Sequence, residues 1–240
     1  MLLPMRSMTR VIVGTMALLF SVSAARPAGA ADSGTIKDSS KAAVESPAPA
    51  NASTNDLVLF DGKTLHGWEV TDFAGHGEAK VDRGRIFLQA GVALTGVTWT
   101  NEAVLPKTNY EVSLEAMKVD GSDFFCGLTF PYEKSYCTLI MGGWGGGVVG
   151  ISSFDSQDAS ENDTTRFLNF DTNRWYQVRV RVTHERIQVW IDKDQTINTE
   201  INGREVGLRA GEIYLSKPLG IATWQTSGAI RNIVVRKLVK

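Results

Sequence analysis

Apolar and polar residues alternate strictly in two neighbouring segments of the chain. Every second residue is apolar from Tyr176 to Val182, and the same pattern returns from Ile187 to Ile191 after His184-Glu185-Arg186. A period of two places the apolar side chains on one face and is typical of a half-buried β-strand. The two segments therefore predict an antiparallel hairpin.

Similar but less regular runs occur at 79–89, 110–119, 219–224 and 230–239, and turn-forming Gly, Asn, Asp and Pro residues separate them. No segment keeps a helical period. Many short strands with 23 glycines in the chain predict an all-β fold, a two-sheet antiparallel jelly-roll sandwich. We expect its terminal strands, near Leu57 and Ile233, to pair.

The N-terminal segment has the pattern of an export signal. Arg6 and Arg10 precede an uncharged run from Val11 to Ala25, and Ala28-Gly29-Ala30 supplies the small residues of a cleavage site. The run is shorter than the roughly 20 apolar residues of a membrane-spanning helix. Residues 1–30 therefore predict a signal peptide cleaved after Ala30, and a secreted or periplasmic mature chain with no membrane span.

Residues 31–56 are rich in Ala, Ser, Pro, Asn and Asp and contain almost no large apolar side chain, which predicts a disordered linker. Residues 57–240 remain for one folded domain. Without the three arginines of the signal, the 25 basic residues become 22 against 26 acidic ones. This balance and the lack of a basic stripe disfavour a nucleic-acid partner.

Two cysteines, Cys126 and Cys137, flank a predicted hairpin turn at 131–134. If Pro131 and Tyr132 alone form the loop, the cysteines lie directly opposite each other and a disulfide fits. If the loop has four residues, they lie diagonally, usually too far apart for an unstrained bond. An exported chain favours the bond, whereas proline at the first loop position favours the longer loop, so the sequence leaves the disulfide open.

The segment from Phe154 to Arg166 holds four acids in nine positions. A carboxylate there is a candidate general base or acid. The same oxygens, led by Asp155 and Asp158, are candidate ligands for calcium, although the sequence requires no cofactor. The alternative is a surface loop whose Asx side chains cap their own turns. The catalytic candidates are Glu161, Asp158 and Asp163.

Four side chains are candidates for substrate binding. Trp144 lies in the glycine run 142–147, where an indole ring has no neighbouring side chains and suits the apolar face of a sugar. The alternative is that its ring folds back onto the rim of the sandwich. Trp190 falls on the polar face of its strand, and Trp224 with Gln225 ends an apolar strand.

Three stretches carry a family resemblance: Leu59–Trp68, Trp175–Val180 with Ile187–Asp192, and Leu219–Ala222 with Ile230–Ile233. Over about 57–238 the chain resembles the 3-keto-disaccharide hydrolase domain family. The resemblance implies a concanavalin-A-like jelly roll and a carbohydrate-related role. In its strongest form it implies hydrolysis of a glycoside oxidised at sugar C3, in which a base removes the proton beside the ketone, the glycosidic oxygen leaves by elimination and water adds afterwards.

Three hypotheses follow for function. The first is a hydrolase of 3-keto-glycosides or a related disaccharide, with one of the three acids as base. The second is a non-catalytic, lectin-like module that binds an oligosaccharide or polysaccharide, and the third is a structural matrix domain. The chain lacks the Glu-x-Asp-x-x-Glu strand motif of retaining jelly-roll glucanases. Nothing in the sequence indicates an oligomeric state.

Overall fold

Strands make up about half of the described chain, which covers residues 56–239 of a computed structural model. In chain order they are β1 (Asp56–Val58), β2 (Trp68–Val70), β3 (Ala79–Asp82), β4 (Arg85–Leu88), β5 (Leu94–Trp99), β6 (Tyr110–Asp120), β7 (Cys126–Tyr132), β8 (Ser135–Gly142), β9 (Val148–Ser152), β10 (Arg166–Phe167), β11 (Trp175–Val182), β12 (Arg186–Ile191), β13 (Asp194–Glu200), β14 (Leu219–Trp224) and β15 (Ser227–Lys237). Short helical segments lie at Glu102–Val104, Gly143–Gly146 and Glu212–Ser216.

The strands form two sheets that pack face to face. The eight-stranded sheet has the order β13-β12-β11-β6-β15-β4-β3, with β1 added against β15. The seven-stranded sheet has the order β10-β9-β8-β7-β14-β5-β2. The pairings are antiparallel, which confirms the predicted jelly-roll sandwich. Within residues 56–239, no helix has the length and apolar character needed to cross a bilayer.

Alternate residues of each strand fill the space between the sheets. On β11, Tyr176, Val178, Val180 and Val182 are buried, and Leu139 and Met141 of β8 belong to the same core. Each large apolar side chain removed from water contributes about 1.5–3 kcal/mol to folding. The intervening residues of the seven-stranded sheet face outward, and this outer face is where a cleft forms.

The predicted hairpin is confirmed as β11 and β12, with Val182 opposite Ile187. The terminal strands also pair as expected, with Leu57 opposite Val235. The run at 79–89 differs, because it is a hairpin of β3 and β4 rather than one strand. Arg83 and Gly84 have φ of 48° and 77°, so the chain reverses through two left-handed residues there.

The register of the β7–β8 hairpin differs from both loops considered from the sequence and separates the two cysteines. Tyr132 pairs with Ser135, so the loop is Glu133-Lys134, and Cys126 lies opposite Met141 while Cys137 lies opposite Phe130. Four strand positions, about 13 Å, separate the two thiols along the hairpin. Both cysteines are free and buried, so the structure answers the question that the sequence left open: the two thiols are not bonded.

The predicted signal peptide and nearly all of the predicted linker lie outside the described residues. Asp56, which the sequence assigned to the linker, is instead the first residue of β1 and pairs with Arg236 of β15.

Candidate functional site

A cavity of about 490 Å³ lies on the outer face of the seven-stranded sheet. Its floor includes Thr138 and Ile140 of β8, which alternate along the strand with the core residue Leu139. We call it the aromatic cavity. Its lining residues are Ala93, Leu94, Asp123, Phe124, Thr138, Ile140, Trp144, Ser152, Asp158, Arg209, Ala210, Gly211, Glu212, Ile213 and Trp224.

Two walls of this cavity are loops whose backbone lies directly on the sheet. A Cβ on Gly150 of β9 would lie 2.4 Å from the carbonyl oxygen of Ala159, and one on Gly220 of β14 would lie 2.5 Å from that of Ser216. Real Cβ atoms do not approach oxygen so closely, so only glycine permits this contact. The segment from Phe154 to Arg166, which we call the acidic loop, and the Glu212–Ser216 segment are thereby positioned on either side of the cavity.

Trp144 projects from the tight turn that joins β8 to β9. Its φ is 48°, and the flanking Gly142 and Gly145 have φ of 81° and 86°. A bulky residue in this left-handed region is rare and marks a constrained turn. Asp123 holds the turn, because its carboxylate accepts the N–H of Phe124 at 2.7 Å and that of Gly145 at 3.4 Å. The indole lines the cavity and is 43% exposed, as expected for a binding platform.

Asp158 is the most firmly held carboxylate of the cavity. Its Oδ1 accepts hydrogen bonds from the Oγ–H of Ser152 at 2.6 Å and from the backbone N–H of Ala159 at 2.8 Å. Its Oδ2 lies 2.7 Å from Nη1 of Arg209, and its side chain is only 15% exposed. These contacts fix the orientation of the carboxylate toward the cavity.

Arg209 is a functional candidate that the sequence reasoning missed. Its guanidinium pairs with Asp158, and its central carbon lies 5.9 Å from the centre of the Trp144 ring. The side chain is 64% exposed. A guanidinium carries five N–H donors in a planar fork, so it can hold a carboxylate and still contact a ligand oxygen. Arg209 lies in an irregular loop, and no local pattern distinguished it.

The structure brings three predicted site residues together in the aromatic cavity: Trp144, Trp224 and Asp158. The Trp224 ring lies 6.5 Å from that of Phe124, which gives the cavity a second aromatic wall. Gln225, also predicted to bind substrate, follows Trp224 but is not among the lining residues, and its side-chain amide donates to the carbonyl of Val92 at 3.0 Å.

Trp190 lies elsewhere, which corrects its prediction as a substrate-binding residue. It belongs to β12 of the eight-stranded sheet and stacks on Arg179, with the guanidinium 4.0 Å from the ring centre. The alternation along β12 correctly predicted that Trp190 lies on the polar face of the strand. It did not reveal to which sheet the strand belongs.

Two further acids of the loop pair with another arginine and do not line the aromatic cavity. Arg204 lies 2.9 Å from the carboxylate of Asp155 and 2.8 Å from that of Asp163. The backbone N–H of Glu205 and then the Arg204 guanidinium lower the pKa of Asp155. Asp163, proposed from sequence as a base, is therefore part of a structural ion pair.

The loop residues do not fit the calcium site considered from the sequence. Asp155 and Asp158 engage different arginines, and between residues 56 and 239 no three His, Cys, Asp or Glu side chains come close enough to hold a metal. Calcium takes six to eight oxygen ligands. The buried amide of Asn162 instead donates to the loop carbonyls of Ile151, Gln157 and Asp158.

Glu161 lines a second cavity of about 460 Å³, which the Asp158–Arg209 pair also lines. We call it the acidic cavity. It is lined by Ser153, Ser156, Asp158, Glu161, Glu205, Gly207, Leu208, Arg209, Ala210 and Tyr214. The two cavities share Asp158, Arg209 and Ala210.

Solved structures resemble this fold at low sequence identity. A Crh5 transglycosylase in complex with NAG is 11% identical, with 78% of this chain and 85% of that chain covered and a TM-score of 0.54. A sialidase is 11% identical over 76% of this chain and 18% of its own, with a TM-score of 0.51. The carbohydrate-binding module CBM66 from Bacillus subtilis is 12% identical over 71% and 96%, with a TM-score of 0.49.

These likenesses concern the fold alone, and no curated protein matches the chain. A family model described as "3-keto-alpha-glucoside-1,2-lyase-like domain" matches residues 56–236. That span contains both sheets and both cavities. The chain therefore belongs to the 3-keto-alpha-glucoside-1,2-lyase-like domain family.

Proposed function

We propose that this domain is a carbohydrate-active enzyme that cleaves 3-keto-α-glucosides by elimination, with Asp158 as the base. One observation carries the proposal. A firmly oriented carboxylate lies in the same cavity as an exposed indole and a guanidinium, those of Trp144 and Arg209. The family match supports the substrate class.

The ketone at C3 makes the proton on C2 acidic, and this determines the chemistry. Asp158 removes that proton, and the C–H electron pair first moves toward the ketone and places negative charge on the C3 oxygen. This charge then returns to form the C1–C2 double bond as the bond from C1 to the glycosidic oxygen breaks. The leaving oxygen takes a proton from water and departs as an alcohol, and the Asp158 carboxyl group releases its proton to solvent. Water then adds across the double bond, and the net reaction is hydrolysis.

Arg209 is suited to the charge that develops during proton removal. As C2 loses its proton, negative charge moves onto the C3 oxygen. A guanidinium beside the base offers N–H donors to that oxygen, and preoriented donors of this kind commonly contribute 10²–10³-fold to a rate. Because Arg209 also pairs with Asp158, base and donor are held at a fixed separation.

The aromatic walls account for sugar binding. Trp144 and Trp224 are 43% and 37% exposed, and both line the cavity with Phe124. Flat apolar rings favour the apolar C–H face of a pyranose, which leaves its hydroxyl groups for the polar lining.

Replacement of the base tests the proposal. We expect Asp158→Asn to reduce turnover of a 3-keto-α-glucoside by about 10²-fold or more while binding persists, because the amide keeps the shape but cannot take a proton. Release of the alcohol measures turnover. Asp194→Asn is the matched control, since Asp194 is exposed on β13 of the opposite sheet. Unchanged turnover in Asp158→Asn would contradict the assignment.

A second candidate function is glycan binding without turnover. It is favoured by the contacts of Asp158, because both of its oxygens already accept protein donors. In that case the unmodified domain binds the glycan and releases no product, and Trp144→Ala weakens binding about tenfold. Isothermal titration combined with the turnover assay separates the two functions.

The export signal at residues 1–30 stays a prediction from the sequence. With that signal, either activity takes place outside the cytoplasm.

A further inference from the structure

The aromatic cavity holds carboxylates that the proposed elimination does not use. Besides Asp158, the side chains of Asp123 and Glu212 line it. Elimination requires a second proton transfer, because a glycosidic oxygen leaves poorly until it gains a proton. Water can supply that proton, but a carboxyl group held beside the bond commonly makes the step about 10²–10⁴ times faster. A second carboxylate in the cavity is therefore a candidate for this step.

Asp123 has one anchored oxygen and one loosely held oxygen. In the β6–β7 loop, its backbone N–H donates to Oγ1 of Thr226 at 2.9 Å, and its Oδ1 accepts the N–H of Phe124 at 2.7 Å. Its Oδ2 has only a long contact of 3.4 Å, with the N–H of Gly145. The loop thus fixes the direction of the carboxyl group and leaves Oδ2 able to carry a proton and to meet a ligand.

The other two carboxylates of the cavity have different surroundings. Asp158 accepts donors on both oxygens and pairs with Arg209. Both oxygens of Glu212 contact the N–H of Ala74, at 3.2 and 3.3 Å, and tie this wall to the β2–β3 loop. Within residues 56–239, no cationic side chain forms an ion pair with Asp123. One carboxylate beside a cation and one without is the difference that a base and an acid require.

Trp144 connects the two carboxylates. The long Asp123 contact is to the N–H of Gly145, the residue after Trp144, and Arg209, the partner of Asp158, lies 5.9 Å from the Trp144 ring. Cavities of roughly 300–1,000 Å³ usually enclose one small ligand. In a cavity of about 490 Å³, a sugar stacked on this indole is therefore close to both carboxylates.

We propose that Asp123 is the general acid that protonates the leaving oxygen, a role that rests on the proposed function. As the bond from C1 to the glycosidic oxygen breaks, its electron pair passes to that oxygen, which takes the proton from Oδ2 of Asp123. The Asp123 carboxylate then removes a proton from the water molecule that adds to C1, while C2 takes up a proton from solvent. The acid is thereby restored, and the net reaction remains hydrolysis.

Two substrates with different leaving groups test this role: methyl 3-keto-α-glucoside and 4-nitrophenyl 3-keto-α-glucoside. Methoxide must be protonated as it leaves, whereas nitrophenolate is a stable anion. With the full chain, we expect Asp123→Asn to reduce kcat/KM for the methyl glucoside about 10²-fold and that for the nitrophenyl glucoside less than about threefold. Turnover of the nitrophenyl glucoside also shows that the variant is folded. Asp120→Asn is the matched control, because Asp120 is exposed at the end of β6.

The outcomes separate this role from the proposed function. Equal losses on both substrates would overturn it and would leave Asp123 as the residue that holds the Trp144 turn. If the difference between leaving groups appears while Asp158→Asn keeps full turnover, the acid stands and the assigned base fails. If the unmodified domain releases neither alcohol, the elimination fails and the acid fails with it.

Discussion

At the scale of single residues, position in the three-dimensional sheet decides which side chains reach the cleft. Trp144 was predictable because glycines surround it, and Trp224 because it ends an apolar strand. Trp190 showed an equally good polar-face position, yet its strand belongs to the other sheet. Arg209 carried no signal, since a loop side chain acquires its partner only through folding. Local alternation thus predicts the face of a strand but not its neighbours.

The two cysteines give a test at this scale. Both are fully buried, and burial raises the pKa of Cys126 to about 12 and that of Cys137 well above the usual thiol value. Because the thiolate is the reactive form, we expect no alkylation of the native domain at neutral pH and two alkylated thiols after denaturation. Mass spectrometry measures both. A denatured chain that stays unmodified until reduced would instead show a disulfide.

At the scale of elements, strands were far easier to predict than the loops over them. The period of two located the β11–β12 hairpin and the long β6 because backbone geometry imposes it. It merged β3 and β4 into one run, because only the left-handed Arg83-Gly84 pair separates them. The acidic loop has no period at all. Its path depends on the close approach of Ala159 to Gly150, nine residues earlier in the chain, and such a backbone contact leaves no periodic pattern of side chains.

That contact yields a prediction about the loop as an element. We expect Gly150→Ala to destabilise the domain by about 1–3 kcal/mol, because the new Cβ would meet the Ala159 carbonyl and force the loop away from the sheet. Turnover should fall as well, since Ala159 adjoins Asp158. Urea unfolding and the turnover assay provide the measurements.

Gly147→Ala is the control for this substitution. Its Cβ would have an ordinary contact of 3.6 Å with the Leu168 carbonyl, and its φ of −113° is open to alanine. Equal stability losses in the two variants would show that the approach of the loop to Gly150 has no special cost.

At the scale of the whole molecule, the C-terminal strand joins distant parts of the chain. β15 pairs with β6, β4 and β1 in the middle of the eight-stranded sheet, and it buries Ile230, Ile233 and Val235. The pairing of the domain's first and last strands was expected from the predicted sandwich. The order of strands was not, because it depends on contacts between segments more than a hundred residues apart.

We therefore expect a chain that ends at Thr226 to lose the fold, since β6 and β4 would lose their shared neighbour. A chain that ends at Leu238 should keep it, because Val239 is 86% exposed. Circular dichroism and thermal unfolding compare the two. A cooperative transition in the shorter chain would contradict this account.

The glycines beneath the two loops have a consequence for how the specificity of this cleft can change. Because the loops rest on the sheet through their backbones, their height above the floor is set by atoms that every amino acid shares. Side chains at the rim can then be exchanged without altering the depth of the groove. The distance between the loops and the sheet therefore stays constant, and a change of sugar preference requires new rim residues rather than a new fold.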